Sequence, residues 1–183
     1  RLDAADQPLG RTPLHAAAMA GAADALSALL GHARDRGAAL DGLDAGVGLA
    51  PLHYAAIFQR EHAAQLLLRH GAQPDCADRP RGCTALHYAV ANGQQTLVAA
   101  LRRAGGPPDH AAWLGNGRGR TPLHVAVLAP ERATLTSLMH AAAAGGADAL
   151  DRCLAAQDAD GRTPLHLAAL YDDLDILELV LAV

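Results

Sequence analysis

The stretch Thr121-Pro122-Leu123-His124 recurs, with small changes, five times in this chain of 183 residues. The other four copies are Thr12-Pro13-Leu14-His15, Ala50-Pro51-Leu52-His53, Thr84-Ala85-Leu86-His87 and Thr163-Pro164-Leu165-His166. An alanine follows two residues after each histidine, at positions 17, 55, 89, 126 and 168. Self-similarity at a spacing of a few tens of residues is typical of a stacked array of small units rather than of one central core.

Each copy of the motif has the composition of a helix start. The threonine can cap the first turn through its side-chain oxygen, and proline suits the first helical position because its missing N–H and fixed φ cost nothing there. The leucine begins the buried face, and the backbone N–H of the histidine is the expected donor to the threonine hydroxyl. Ala50 lacks the capping oxygen, so the second motif predicts the weakest helix start, whereas Ala85 in place of proline is a mild change.

A second helical segment follows each motif after a short break. The breaks are predicted at Gly21, Gln59, Gly93, Pro130 and Asp172. Apolar residues then recur at helical spacing, as Leu26, Leu29 and Leu30; Ala63, Leu66 and Leu67; Leu97, Val98 and Leu101; Leu135, Leu138 and Met139; Ile176, Leu177 and Val180. Pro130 is compatible with the first turn of a helix, and Gly71 and Gly105 are predicted to end helices in a left-handed conformation.

The spacing of the motifs is irregular, since their histidines are 38, 34, 37 and 42 residues apart. Helices must stay in register to stack, so we expect the additional residues to lie in the connections 34–48, 105–118 and 141–160 and not inside helices. The first two connections are rich in Gly, Asp and Pro, as loops are. The segment 147–154 has the sequence of an extra helical turn.

The motif, written T-P-L-H-x-A, resembles the ankyrin repeat over nearly the whole chain. The resemblance implies an all-α ankyrin-repeat solenoid of about five helix–turn–helix units with projecting β-turn or finger loops, and a histidine ring that bridges to the neighbouring repeat. We expect one domain over 1–183, with repeats at about 8–40, 46–78, 80–112, 117–158 and 159–183. Solenoids need polar caps, and neither end of the chain has one, so we expect a segment of a longer protein.

Composition narrows the possible functions. The chain has no apolar run of 18 or more residues and no signal-like start, which predicts no membrane span or export signal in this segment. A net charge of −4 argues against general nucleic-acid binding. Three cysteines do not make a disulfide framework, so reduced thiols in the cytoplasm or nucleus are expected.

Metal binding is the main competing interpretation of two groups of residues. Cys76, Cys83 and His87 form a C-x6-C-x3-H pattern, but this spacing matches no common structural zinc site. The five motif histidines would be set at regular intervals by stacking instead of converging on one point. We therefore expect no metal and no cofactor, and we find no phosphate loop or nucleophile–base pair that would indicate an enzyme.

The resemblance also implies a binding surface made of the finger tips and the concave side of the first helices. Mapped onto this sequence, that surface comprises Arg11, Leu49, Ile57, Phe58, Arg81, Asn92, Arg118, Arg120, Arg162, Leu170 and Tyr171. Arginine and aromatic residues are enriched at binding hot spots, although the arginines could equally be solvated and Phe58 and Tyr171 could simply cover helix ends. Trp113 is either a plug for its loop or an anchor for a partner.

The predicted function is a non-catalytic scaffold or adaptor that binds another protein of acidic or mixed surface. Two alternatives remain. The segment could be the targeting or regulatory arm of an enzyme whose catalytic domain lies outside it, or it could be a structural spacer. Fold alone does not choose among these.

Overall fold

The computed structural model describes residues 5–6, 9–37, 39–105, 114–171 and 174–181. Trp113 and the predicted break at Asp172 lie outside them. Within the described ranges the chain is α-helical, apart from an isolated antiparallel bridge between Ala77 and Thr84. The helices are α1 (Pro13–Ala20), α2 (Ala23–Arg36), α3 (Pro51–Ile57), α4 (Glu61–Arg69), α5 (Ala85–Ala91), α6 (Gln95–Ala104), α7 (Pro122–Leu128), α8 (Arg132–Ala143), α9 (Ala147–Ala155), α10 (Pro164–Leu170) and α11 (Leu174–Leu181). The predicted all-α class is confirmed.

The helices stack in two layers. The first helices α1, α3, α5, α7 and α10 pack one on the next in chain order, and each begins at the residue after the motif's first position, as predicted. The second helices α2, α4, α6 and α8 form the other layer in the same order. Each unit therefore contacts its neighbours in the stack, which is the arrangement of a solenoid.

Small residues in the first helices make this stacking possible. The alanines that follow the motif histidines at positions 55, 89, 126 and 168 are fully buried, with an exposed fraction of 0%. Leucines fill the space between the layers, and Leu26, Leu67, Leu97 and Leu135 are also 0% exposed. Because alanine adds only a methyl group, neighbouring first helices approach closely while the leucines supply most of the apolar core.

The additional residues do not all lie in loops, so that prediction was wrong. Helix α2 has 14 residues where α4 has 9, and the buried Ala33 packs the added length against the core. The segment predicted to hold one extra helical turn instead forms the complete nine-residue helix α9, which buries Leu150 and Cys153 and packs against α8 and α10.

One of the predicted helix ends differs in the structure. Gly71 has a left-handed backbone with φ of +94°, as expected, but Gly105 has φ of −74° and ends α6 without that conformation. Pro130 lies in the turn before α8, whose first residue is Arg132. Gln59 adopts φ of +57°, a conformation that residues with a side chain seldom take, and so makes the break predicted there.

Candidate protein-binding surface

Each loop that precedes a first helix, which we call a finger, is fixed by one side chain. The fingers comprise the described residues up to 12, then 39–50, 72–84, 114–121 and 156–163. In the second finger, the Asp44 carboxylate accepts hydrogen bonds from the backbone N–H groups of Val47, Gly48 and Leu49 at 2.6, 3.3 and 3.1 Å. The equivalent anchors are Asp6, Asp78, Asn116 and Asp158.

The environment of Asp44 keeps its carboxyl group ionised. Burial alone would raise the pKa of Asp44, but the backbone donors and the Tyr54 hydroxyl, 3.1 Å away, hold this pKa below its ordinary value. These anchors were not predicted from the sequence. Their signal was present, because an Asp or Asn stands five or six residues before the first position of every motif.

Neighbouring fingers are joined by backbone hydrogen bonds. Each bond runs from an N–H of one finger to a carbonyl of the finger before it. The pairs are Gly46 to Leu9 (2.7 Å), Arg79 to Gly48 (3.1 Å), Gly117 to Arg81 (2.7 Å) and Ala159 to Arg118 (2.7 Å). A Cβ on Gly117 would lie 2.9 Å from the Arg81 carbonyl oxygen, so this close approach requires glycine.

The motif histidines of the first four units tie each unit to the next. Their Nε2 atoms hydrogen-bond a carbonyl oxygen of the following finger, which confirms the predicted bridge. The bonds are His15 to Leu49 (3.0 Å), His53 to Cys83 (3.0 Å), His87 to Arg120 (2.9 Å) and His124 to Arg162 (3.0 Å). The fifth, His166, is exposed, and no bridge of this kind occurs there among the described residues.

The other ring nitrogen determines the tautomer of these histidines. In the third unit, Nδ1 of His87 lies 3.1 Å from the backbone N of Thr84 and 3.0 Å from its hydroxyl oxygen. A neutral imidazole has one donor and one acceptor nitrogen, so Nδ1 accepts both bonds and Nε2–H donates to the carbonyl. Burial lowers the pKa of His15, His53, His87 and His124 below the ordinary value of 6.5, which favours this neutral form.

The threonine hydroxyls do more than the prediction assigned to them. At Thr12, Thr84 and Thr121 the hydroxyl faces the backbone N–H of the histidine in a capping box, as expected, but without a hydrogen bond of ordinary geometry. It is present at Thr163, where His166 N lies 3.4 Å from the hydroxyl oxygen. At the other three positions the hydroxyl's partner is the ring nitrogen.

Replacing Thr121 by alanine is expected to lower the free energy of unfolding by about 1 kcal/mol, because Nδ1 of His124 loses a donor at 2.8 Å. Ala50→Thr should raise the stability, since His53 has only the backbone donor at 3.0 Å. Urea unfolding midpoints would measure both changes. An unchanged midpoint for Thr121→Ala would show that the backbone N–H alone satisfies the ring.

The predicted arginine surface divides into two groups. Three arginines are held by carboxylates within the fingers: Arg11 lies 2.7 Å from Asp6, while Arg120 and Arg162 lie 3.5 and 3.3 Å from the same Asp158 oxygen. These three side chains are partly buried and stabilise the fingers. Their charges are therefore already compensated.

Arg81 and Arg118 form the second group. Both are exposed, and neither guanidinium makes an ion pair with a described residue. Their backbones are nevertheless held in place, because the N–H groups of Arg81 and Arg118 donate to Asp78 and Asn116 at 2.7 and 2.9 Å. These two fingers thus present positive charges that no ion pair with a described residue compensates.

The predicted apolar positions also differ in their accessibility. Leu49 is 6% exposed and packs in the core, so its side chain is not part of the surface. Ile57 is half-buried, and Asn92 is exposed but donates its amide to the Ala56 carbonyl at 3.2 Å, which links two units. The remaining three, Phe58, Leu170 and Tyr171, are exposed at 43%, 64% and 65%.

A groove of about 730 Å³ lies between the third and fourth fingers and helices α5 and α7. It brings together three of the predicted residues, Arg81, Arg118 and Arg120, beside the half-buried side chains of Tyr88 and Leu128. Phe58, Leu170 and Tyr171 are not in its lining. Tyr171 lines a second groove of about 440 Å³, and Leu128 lines both, so the two grooves adjoin.

The described part of the chain contains no group of three or more His, Cys, Asp or Glu side chains arranged to hold a metal ion. Cys76, Cys83 and Cys153 are free thiols. None of the helices in the described ranges combines the length and apolar character needed to cross a membrane.

Comparisons with known proteins agree with this architecture. The sequence matches the family described as "Ankyrin repeats (3 copies)" over residues 2–78, 36–110, 65–134 and 110–183. The crystal structure of the ankyrin repeat domain of Bcl-3 superposes with a TM-score of 0.81 at 32% identity, covering 94% of this chain and 72% of that one.

Two curated proteins illustrate the range of relatives. The B-cell lymphoma 3 protein homolog of Mus musculus is 38% identical over 117 residues, which is 64% of this chain and 24% of that protein. The putative palmitoyltransferase ZDHHC13 of Danio rerio is 32% identical over 118 residues, or 64% of this chain and 16% of that protein. The match thus spans a quarter or less of the length of these two relatives.

Proposed function

This chain belongs to the ankyrin-repeat family, and we propose that it is a non-catalytic protein-interaction module that binds another protein through its fingers and the concave face of its first helices. The groove of about 730 Å³ carries the proposal, because it joins an apolar floor to charged fingers. Concave sites that combine apolar side chains with a few fixed polar groups are the usual form of a binding site.

The rigidity of the fingers supports this role. Each finger is held by its Asp or Asn anchor, and the second to fifth fingers are each bonded through their backbone to the finger before. Little conformational entropy remains to be lost when a partner binds, which favours affinity. A partner with an acidic or mixed surface would match Arg81 and Arg118 together with the exposed apolar residues Phe58, Leu170 and Tyr171.

A regulatory arm of an enzyme is the second candidate. The observation that favours it is the match to a palmitoyltransferase, of which this chain corresponds to 16%. In that case the same face would bind a substrate protein or another domain of the enzyme. The two candidates share the binding surface and differ in what lies beyond this segment.

Hydrogen exchange on the complex with a captured natural partner tests the proposal. We expect new protection in the fingers and in α3, α5 and α7. We also expect Phe58→Ala to weaken binding through lost apolar contact, with Arg69→Ala, on the exposed side of α4, as the matched control. Protection confined to α2, α4 and α6 would contradict the proposed surface, and the absence of any specific partner would favour a spacer.

Arg120 and Arg162 are unsuitable for testing the surface. Both lie against Asp158, so changing them to glutamate would place three carboxylates together and weaken the fifth finger. Any loss of binding would then report on the fold. Variants at exposed positions avoid this difficulty.

A further inference from the structure

We propose that the groove between the third and fourth fingers binds an extended acidic peptide segment, whose carboxylates pair with Arg81 and Arg118 while an apolar side chain rests on Tyr88, Val125 and Leu128. This inference rests on the proposed function and specifies the chemistry of the partner. It starts from the difference between these two fingers and the others.

Arginine side chains line the groove. The whole chain carries a net charge of −4, yet Arg81 and Arg118 line the groove without an ion pair to any described residue. The fourth finger is anchored by the neutral Asn116, whereas the other four anchors are aspartates. Asp78, the anchor of the third finger, is only 4% exposed.

The guanidinium of Arg81 makes no ion pair with Asp78, whose hydrogen-bond partners lie in the third finger and in α5. The Asp78 carboxylate accepts bonds from two backbone N–H groups, those of Arg81 (2.7 Å) and Cys83 (3.3 Å), and from the Tyr88 hydroxyl (2.5 Å). These partners occupy the carboxylate inside the finger. The guanidinium groups of Arg81 and Arg118 thus remain available for an external carboxylate, which arginine binds through two parallel hydrogen bonds.

The groove is small and partly apolar. Its volume of about 730 Å³ accommodates a few side chains and not a folded domain. Tyr88, Val125 and Leu128 are half-buried, so they offer apolar surface that a bound side chain would cover. A segment with carboxylates next to an apolar residue satisfies both parts of the lining.

A nucleic acid fits these observations less well. Binding a phosphate backbone requires several cations along a path, and the groove has only two arginines without an ion pair among the described residues. Tyr88 is the one Phe, Tyr or Trp side chain in the described lining of the groove. Its hydroxyl is already bonded to Asp78. The overall negative charge also opposes a polyanion.

Selection from a displayed library of random dodecapeptides tests the inference. The three proteins compared are the unmodified chain, the Arg81→Gln/Arg118→Gln variant and an Arg36→Gln/Arg69→Gln control, which removes two exposed arginines of the second helices. We expect the unmodified chain and the control to enrich peptides that contain Asp or Glu beside an apolar residue. Synthetic copies of these peptides should bind the Arg81/Arg118 variant at least tenfold more weakly, and its urea midpoint should be unchanged because both arginines are exposed.

Three results would overturn the inference: no enrichment, enriched peptides without acidic residues, or equal affinity for the Arg81/Arg118 variant. A dodecathymidylate probe that binds through the same arginines more tightly than the peptides would also overturn it and favour nucleic acid. None of these outcomes would by itself overturn the proposed function, which is judged from the hydrogen-exchange footprint of the natural partner.

Discussion

Replacing His87 by alanine is expected to lower the free energy of unfolding by about 4 kcal/mol. The variant leaves the Arg120 carbonyl, the Thr84 backbone N–H and the Thr84 hydroxyl without their partner. A buried polar group left unpaired costs about 1–3 kcal/mol, and the missing ring, which is 3% exposed in the protein, adds a cavity. Urea unfolding followed by circular dichroism would measure the loss.

The fifth motif supplies the matched control. His166→Ala removes the same ring from the same sequence context, but this ring is exposed and bridges to no finger among the described residues. Its replacement should cost about 1 kcal/mol or less, from the bonds to Thr163. If the two variants lose the same stability, the bridge between units contributes nothing and our interpretation of the histidines is wrong.

Acidification from pH 7.5 to pH 5.5 is expected to produce the second large effect, a marked fall in stability. The pKa values of His15, His53, His87 and His124 are lowered by burial, although nearby carboxylates such as Asp44, Asp78 and Asp158 act to raise them. Nδ1 accepts a hydrogen bond from a backbone N–H in the folded chain. Protonation of Nδ1 would replace this bond by repulsion between two N–H groups. The folded chain therefore resists protonation of these four rings.

The direction of the effect follows from proton linkage. An unfolded histidine takes up its proton near pH 6.5, whereas the folded rings do so at lower pH. Below about pH 6.5 the unfolded chain binds more protons, so the free energy of unfolding falls as the pH falls. The loss can reach about 1.4 kcal/mol per pH unit for each histidine, and four such rings act together.

Urea midpoints at several pH values between 7.5 and 5.5 would measure this dependence. His124→Gln removes one titrating ring and should give a shallower slope, although the variant is less stable at every pH. A midpoint that does not change over this range would contradict the assignment of four neutral, proton-resistant histidines.

Local rules account for what could be predicted from the sequence. The starts of the five first helices could be predicted because capping and proline geometry depend on a few adjacent residues. These helices begin at Pro13, Pro51, Ala85, Pro122 and Pro164. The buried positions of the second helices followed from helical spacing in the same way. These signals lie within one unit and need no knowledge of its neighbours.

The sequence-based predictions that failed concern residues whose environment is determined by contacts between units. Leu49 directly precedes a motif, as Arg11, Arg120 and Arg162 do, and was therefore expected on the surface. Its side chain is buried. Arg120 was expected to lie on the binding surface, yet it contacts Asp158 in the next finger. The contact between the threonine hydroxyl and the ring nitrogen was not predicted, although it occurs at Thr12, Thr84, Thr121 and Thr163.

All four histidine bonds run in the same direction along the chain. Through its histidine, each of the first four units donates to the unit after it, whereas the backbone bonds between fingers are donated in the opposite direction. The contact between units is therefore head-to-tail and has no symmetry that would close the series. Duplication or deletion of a whole unit during evolution would therefore recreate a junction of the existing kind. Insertions within a finger would instead break the bonds to both neighbours, and the structure shows added length where a second helix is extended in α2 and where a helix is inserted as α9.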